Sequence, residues 1–182
     1  MKTWIALFKG LNVGGNNKIL MKDLIGEFQA LGYSNVSTYI QSGNVVFQSS
    51  EKNPESLCTT ITAALQDKFA ITTHAVVLSS QSLTQAINKN PFPELQSEAD
   101  AKKLHLCFLS QPSTQFDQLR LKAIIKPSER WKLIDQVFYL HTPEGMGTSK
   151  LGAQVEKIVG VTVTARNWRT VCTLDALASN SK

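Results

Sequence analysis

Two stretches of this 182-residue chain run through the same order of elements, and that recurrence constrains the fold more than any single motif. In the first, residues 3–9 have the composition of a strand. Residues 20–31 then place Leu20, Met21, Leu24, Phe28 and Leu31 at helical spacing, with Gly32 as the stop signal. Residues 36–41 and 45–48 are short strands joined through Ser42-Gly43, a tight-turn pair. Asn53-Pro54 opens a helix that carries Leu57, Ile61, Ala64, Leu65 and Phe69 on one face; Pro54 suits a first turn, where its missing N–H costs nothing. Residues 74–78 are a fourth strand, and Ser79-Ser80 caps a helix reaching Asn88.

Pro91-Phe92-Pro93 and the polar stretch after it read as a connector over residues 91–102. Beyond it the order returns: strand 104–109, helix 114–125, strands 130–134 and 137–141 across an Asp135-Gln136 turn, helix 149–159, strand 161–165 and helix 167–177. The two stretches share almost no identity, so the repeat is one of element order alone. It predicts an α+β protein of two tandem ferredoxin-like βαββαβ units, each followed by an extra helix. The expected boundaries are 1–90 and 103–182, flanking the connector; one merged mixed sheet is the alternative.

This topology locates a site. A helix crosses between the first two strands of each unit, so those strands run parallel and end on the same edge of the sheet. The loop over 10–18 therefore approaches the turn over 41–44. Together they bring Lys9, Asn12, Gly14, Gly15, Lys18, Gln41, Ser42 and Asn44 to one rim, with Asn16 and Asn17 beside them. Glycines let backbone N–H groups point into a concavity and lysines add charge, which suits a phosphate-bearing ligand. The same residues are turn formers, and turns need no ligand to explain them. On the opposite edge of the second unit, Ser149 and Lys150 begin one helix and Arg166, Asn167, Trp168 and Arg169 lead into another. Helix N-termini favour anions, and an indole can stack on a base or sugar. In the plainer account Ser149 and Asn167 are caps, Trp168 is core and the arginines are solvated.

The modest positive charge suits an anionic partner, though an ordinary soluble surface explains it as well or better. The net charge of +5 favours a nucleotide, a phosphometabolite or nucleic acid, but no Lys/Arg run exceeds two, so there is no polybasic arm. Cys58, Cys107 and Cys172 are odd in number and widely spaced, and His74, His105 and His141 are dispersed, which predicts neither a disulfide framework nor a metal site. The longest N-terminal apolar run covers residues 4–8, too short for a signal-peptide core or a membrane span. The expectation is a cytoplasmic protein without a membrane partner. No Walker A, G-x-G-x-x-G, H-E-x-x-H or G-x-S-x-G pattern occurs, and Asp23, Glu27, Asp135 and Glu144 form no readable catalytic pair. Ser42 lacks a locatable base; only folding could bring His105 or His141 near it. Three classes stay open: a binder of a phosphate-bearing ligand, an enzyme acting on a small polar metabolite, and a non-catalytic interaction module. Cofactor and oligomeric state are not indicated.

The run Ala6-Leu7-Phe8-Lys9-Gly10-Leu11-Asn12-Val13-Gly14-Gly15, then Asn17-Lys18, then Thr38-Tyr39-Ile40-Gln41-Ser42-Gly43-Asn44-Val45-Val46-Phe47, resembles the domain-of-unknown-function 1697 family. Ser149-Lys150-Leu151 and Thr164-Ala165-Arg166-Asn167-Trp168 are also similar to it. The resemblance implies an α+β fold and a bacterial, cytoplasmic setting, and it carries no established activity. Where the family has Arg, this chain has Lys9, and where it has Asn, this chain has Arg169. A role that needs a bidentate guanidinium does not transfer to Lys9.

Overall fold

The apolar run from Trp4 to Phe8 is buried throughout, as expected of a strand with partners on both sides. In the computed structural model, which describes residues 1–15 and 17–180, this run lies in β1 (Lys2–Lys9). β1 pairs antiparallel with β3 (Asn44–Ser49) and with β4 (His74–Ser79). β2 (Ser34–Thr38) pairs with β3 and completes a sheet of order β2-β3-β1-β4. The helices α1 (Met21–Ala30) and α2 (Pro54–Phe69) form the crossovers, and α3 (Ser80–Asn88) follows β4 directly.

Leu24 and Phe28 of α1 and Leu57, Ile61 and Leu65 of α2 share one core with Trp4, Phe8, Val45 and Phe47 of the sheet. Phe28 meets Phe8, Tyr33 and Phe47 edge-on, with ring centroids 5.1–6.3 Å apart, a favoured aromatic geometry. Asn53 caps α2 through its side-chain oxygen, which accepts from Glu55 N–H at 2.8 Å, and Pro54 occupies the first turn as the sequence predicts. The half-buried ion pair between Lys68 of α2 and Glu27 of α1, at 2.5 Å, ties the two helices together.

The second sheet has the same order. β5 (Leu104–Leu109) is flanked antiparallel by β7 (Val137–His141) and β8 (Val163–Asn167), and β6 (Arg130–Ile134) forms the edge, giving β6-β7-β5-β8. α4 (Gln118–Ile124), α5 (Lys150–Val159) and α6 (Trp168–Asn180) complete the set. The fold is α+β, with two four-stranded antiparallel sheets and, among the described residues, six α-helices. The chain divides into two compact units, Met1–Thr84 with Thr173–Lys182, and Gln85–Cys172.

Several boundaries differ from the sequence-based expectation, each for a local reason. The helix expected over 114–125 is only α4, because Asp117 is its cap and accepts from Arg120 N–H at 2.9 Å. The strand expected over 161–165 lies two residues later, and α6 starts without a loop after it. The strand expected over 36–41 stops at Thr38, because Tyr39 N–H donates to Asn44 O at 3.0 Å and closes a longer turn. Within that turn Ile40 takes φ 50°, a left-handed conformation that is a true outlier for a β-branched residue.

Gly43 has a stricter requirement. Its φ is 73°, its carbonyl accepts Phe8 N–H at 2.9 Å, and an added Cβ would stand 2.8 Å from Phe8 Cβ and 2.9 Å from Leu11 Cδ2. Gly43→Ala is expected to cost about 1–3 kcal/mol from overpacking alone, with the left-handed φ adding to it. A thermal melt of the variant checks this, at roughly 2–4 °C per kcal/mol.

Two histidines of the second unit set an acid limit on stability. Burial holds His105 below its usual 6.5, opposed by its contact with the Lys103 carbonyl. Burial also lowers His141, reinforced by Arg130 and Lys103 and opposed by Asp100 and Glu94. Both bind a proton less tightly when folded, so below 6.5 the unfolded chain takes up more protons and stability falls as the pH falls. Denaturant melts between about pH 7 and 5 should show this loss, and it should shrink in a His105→Gln/His141→Gln variant. The exposed carboxylates held low by their partners, Glu51, Glu94 and Glu144, act only below 4.5 and do not overlap this window.

Candidate functional site

The loop after β1 and the turn after β2 do meet, and the side chain of Asn12 joins them. Its Nδ2 donates to Gln41 O at 2.9 Å and to Ile19 O at 3.0 Å, while its Oδ1 accepts Ile19 N–H at 2.8 Å. Asn12 N–H also donates to Asn17 O at 3.1 Å, which closes the loop on itself. One carboxamide thus fixes both ends of the loop and the neighbouring turn.

A third element braces the site, and the sequence pattern did not single it out. Asn17 Nδ2 donates to Thr72 O at 3.2 Å and Thr73 Oγ1 donates to Lys9 O at 2.9 Å, so the connection between α2 and β4 supports the loop. The β1–β4 register sets His74 opposite Lys9 and adds an exposed imidazole to the same edge. Only the pairing of β1 with β4 reveals this, because no local pattern links residues so far apart in the chain.

The loop backbone has the conformation that glycine and asparagine favour. Gly10, Asn12, Gly14, Gly15 and Asn17 have φ between 49° and 83°. No described atom lies within 4 Å of where a Cβ would stand at Gly10, Gly14 or Gly15, so packing does not demand these glycines and their backbone faces open space. Asn16 lies outside the described residues. Lys18 and Gln41 are exposed, Lys9 and Ser42 are half-buried, and Lys18 has no ion pair among the described residues. Asn44 is fully buried; its Nδ2 donates to Tyr39 O at 3.0 Å and to Ser42 Oγ at 3.1 Å. It shapes the turn from inside. Three apolar side chains, Val13, Leu20 and Ile40, are exposed one residue from Asn12 or from the backbone groups that Asn12 binds.

The second candidate edge is built differently. Ser149 is buried and accepts Gly152 N–H at 2.8 Å as the cap of α5, while Lys150 is exposed. Arg166 donates to the Ala165 carbonyl at 2.8 Å, and burial pushes its guanidinium down to about 10. Asn167 accepts Thr170 N–H at 2.9 Å, and Trp168 is buried, with no free face for stacking. Four of these five side chains serve the fold.

Burial pushes the Cys107 thiol up to about 12 and raises Cys58 as well. Among the described residues no group of three His, Cys, Asp or Glu could hold a metal ion, and no helix is long and apolar enough to cross a membrane.

A family model described as Protein of unknown function (DUF1697) matches residues 1–139, a span that contains both rim segments and ends before Ser149. None of the curated proteins matches the chain. Among solved structures, the conserved bacterial protein SP0830 from Streptococcus pneumoniae is similar at a TM-score of 0.63 and 20% identity, over 97% of this chain and 98% of that one. At that identity the likeness speaks for the fold.

The Asn12 carboxamide is testable. Asn12→Ala removes three hydrogen bonds at once and should cost about 1–3 kcal/mol, read by denaturant melts. Asn12→Asp keeps the acceptor for Ile19 N–H and loses both donors. Its amide exchange should therefore rise in the 41–44 turn more than at Ile19.

Proposed function

The chain belongs to DUF1697, a family of proteins of unknown function, and from that premise we propose that it binds a phosphate-bearing ligand, a nucleotide or nucleic acid, at the rim formed by the 10–18 loop and the 41–44 turn. The observation that carries this reading is the unpacked left-handed backbone at Gly10, Gly14 and Gly15. Left-handed residues among right-handed ones turn successive N–H groups toward one side, the geometry of an anion nest. Lys18 supplies unneutralised charge, and Asn12, Gln41 and Ser42 supply orientation. Asn44 acts by holding the turn. The strand order of both sheets, with the first strand between the third and fourth, supports reading each half as a ferredoxin-like unit. Free cysteines fit a reducing cytoplasm.

Isothermal titration with nucleoside monophosphates, ribose 5-phosphate, inorganic phosphate and a short single-stranded oligonucleotide tests the reading. Binding by at least one of these is expected. Lys18→Ala should weaken it by roughly ten- to a hundredfold, the worth of one charge-assisted contact, with the melting temperature unchanged. If the oligonucleotide is the ligand, affinity falls steeply with added salt. Absence of binding by all four overturns the reading.

A further inference from the structure

The two sheets have four edge strands, and three are protected. β2 carries a register shift between Ser34 and Ser37, takes φ 49° at Asn35 and is polar apart from Val36. On β4 the Ala75 carbonyl accepts the Cys58 thiol at 3.2 Å. On β8 the Val163 N–H donates to Glu156 Oε1 at 2.7 Å and the Ala165 carbonyl accepts from Arg166 at 2.8 Å. Such devices keep an edge from pairing with another chain. β6, which stands in the second sheet where β2 stands in the first, has none of them. It is regular over Arg130–Ile134, its sequence is Arg-Trp-Lys-Leu-Ile, and among the described residues no side chain caps its outer groups.

The register identifies those groups. Leu109 N–H donates to Gln136 O at 2.9 Å, so the even-numbered residues of β7 bond toward β5 and the odd-numbered ones toward β6. Val137, Tyr139 and His141 therefore bond Ile134, Lys132 and Arg130, as the two-residue turn at Asp135-Gln136 also requires. Trp131 and Leu133 are left with N–H and C=O pointing away from the sheet. The same two residues, with Phe116 and Lys132, line a solvent-open cavity of about 480 Å³. Its wall is aromatic: Trp131 stacks with Phe116 and with Phe138, the ring centroids 5.4 Å apart in each pair. Free backbone groups and an apolar groove thus coincide at one edge.

Charge selects the occupant. Arg130 is engaged by Glu94 and Lys126 by Glu144, whereas Lys132 is exposed and has no ion pair among the described residues. A second copy pairing antiparallel on β6 would set Lys132 against Lys132 or against Arg130. The remaining register, centred on Leu133, pushes Trp131 out to Asp135 at the turn. Like charges directly opposite destabilise a strand pair. We propose that the outer edge of β6 is a strand-addition site for an extended acidic segment of a partner protein, with a carboxylate opposite Lys132 and apolar side chains entering the groove over Trp131 and Leu133. Main-chain hydrogen bonds supply affinity in this mode, and alternate side chains supply selectivity.

Amide-resolved NMR with a capped heptapeptide alternating valine and glutamate tests this on the full chain. Expected results are saturable binding and slowed exchange at the Trp131 and Leu133 amides, with about tenfold weaker binding of the valine–lysine counterpart. Lys132→Glu, on the exposed face, should invert that preference. Leu133→Pro removes an outward N–H that the sheet does not use and should abolish binding. If that variant fails to fold, the Lys132→Glu inversion still decides. Equal affinity for both peptides, or no slowing at Trp131 and Leu133, overturns the proposal. So does peptide-independent slowing that rises with protein concentration, which would assign the edge to a second copy.

Discussion

Everything in each sheet depends on the first strand having a partner on both sides. β1 lies between β3 and β4, and β5 between β7 and β8, so neither strand has a free edge, and Trp4 to Phe8 of β1 are buried on both faces. Complete pairing leaves only hydrophobic burial to choose the residues, hence the unbroken apolar run from Trp4 to Phe8. It also fixes where the chain must go next. Having run through the centre, the chain leaves β1 at the sheet end where β2, two places away, also ends. The rim in the first unit is a consequence of this pairing.

Within that rim, hydrogen bonding rather than burial does the organising. A loop that spans residues 10–18 with several left-handed positions cannot bond its own backbone as a helix or sheet would. Asn12 substitutes for the missing ladder by offering a donor and an acceptor to Ile19 and a second donation to Gln41. An asparagine suits the task because its carboxamide imitates a peptide group and tolerates φ above zero. Asn12 N–H donates to Asn17 O, but the amides of Gly10, Gly14 and Gly15 bond no described residue, which is the chemical basis for proposing that they receive an anion.

The order of strands and helices was legible because each element carries its period and its stops, such as Asn53-Pro54 before α2 and Gly32 after α1. The approach of the 10–18 loop to the 41–44 turn was legible too, since it follows from a crossover helix between parallel strands. What escaped was set by partners distant in sequence. Nothing local announces that Thr72 and Thr73 brace the loop, that His74 stands opposite Lys9, or that Asn44 is buried instead of exposed. The end of β2 moved for a local reason, the bond from Tyr39 N–H to Asn44 O that closes the turn. At the second edge Ser149 and Asn167 could be read both as caps and as ligand groups, and their oxygens accept helix N–H groups. A cap and an anion contact look identical in sequence.

The two sheets share an order but spend their corresponding parts differently. After β1 comes the open loop with Gly10, Gly14 and Gly15. After β5 the chain is held down: Ser110 N–H donates to Thr162 O, Ser113 Oγ to Val159 O, and Asp117 N–H to Ile158 O. No left-handed residue occurs among described positions 110–117, and the backbone there has no concavity to offer. The edges reverse the comparison, since β2 is bulged and polar while β6 is regular and aromatic. A shared topology cannot account for either difference, because topology fixes where a loop or an edge lies and not whether its polar groups are satisfied. Side chains decide that: Ser113 closes one loop, and Glu156 and Arg166 close one edge. At Gly10, Gly14 and Gly15 and on the outer side of Trp131 and Leu133, no described side chain does so, and backbone donors and acceptors stay available for something other than the fold.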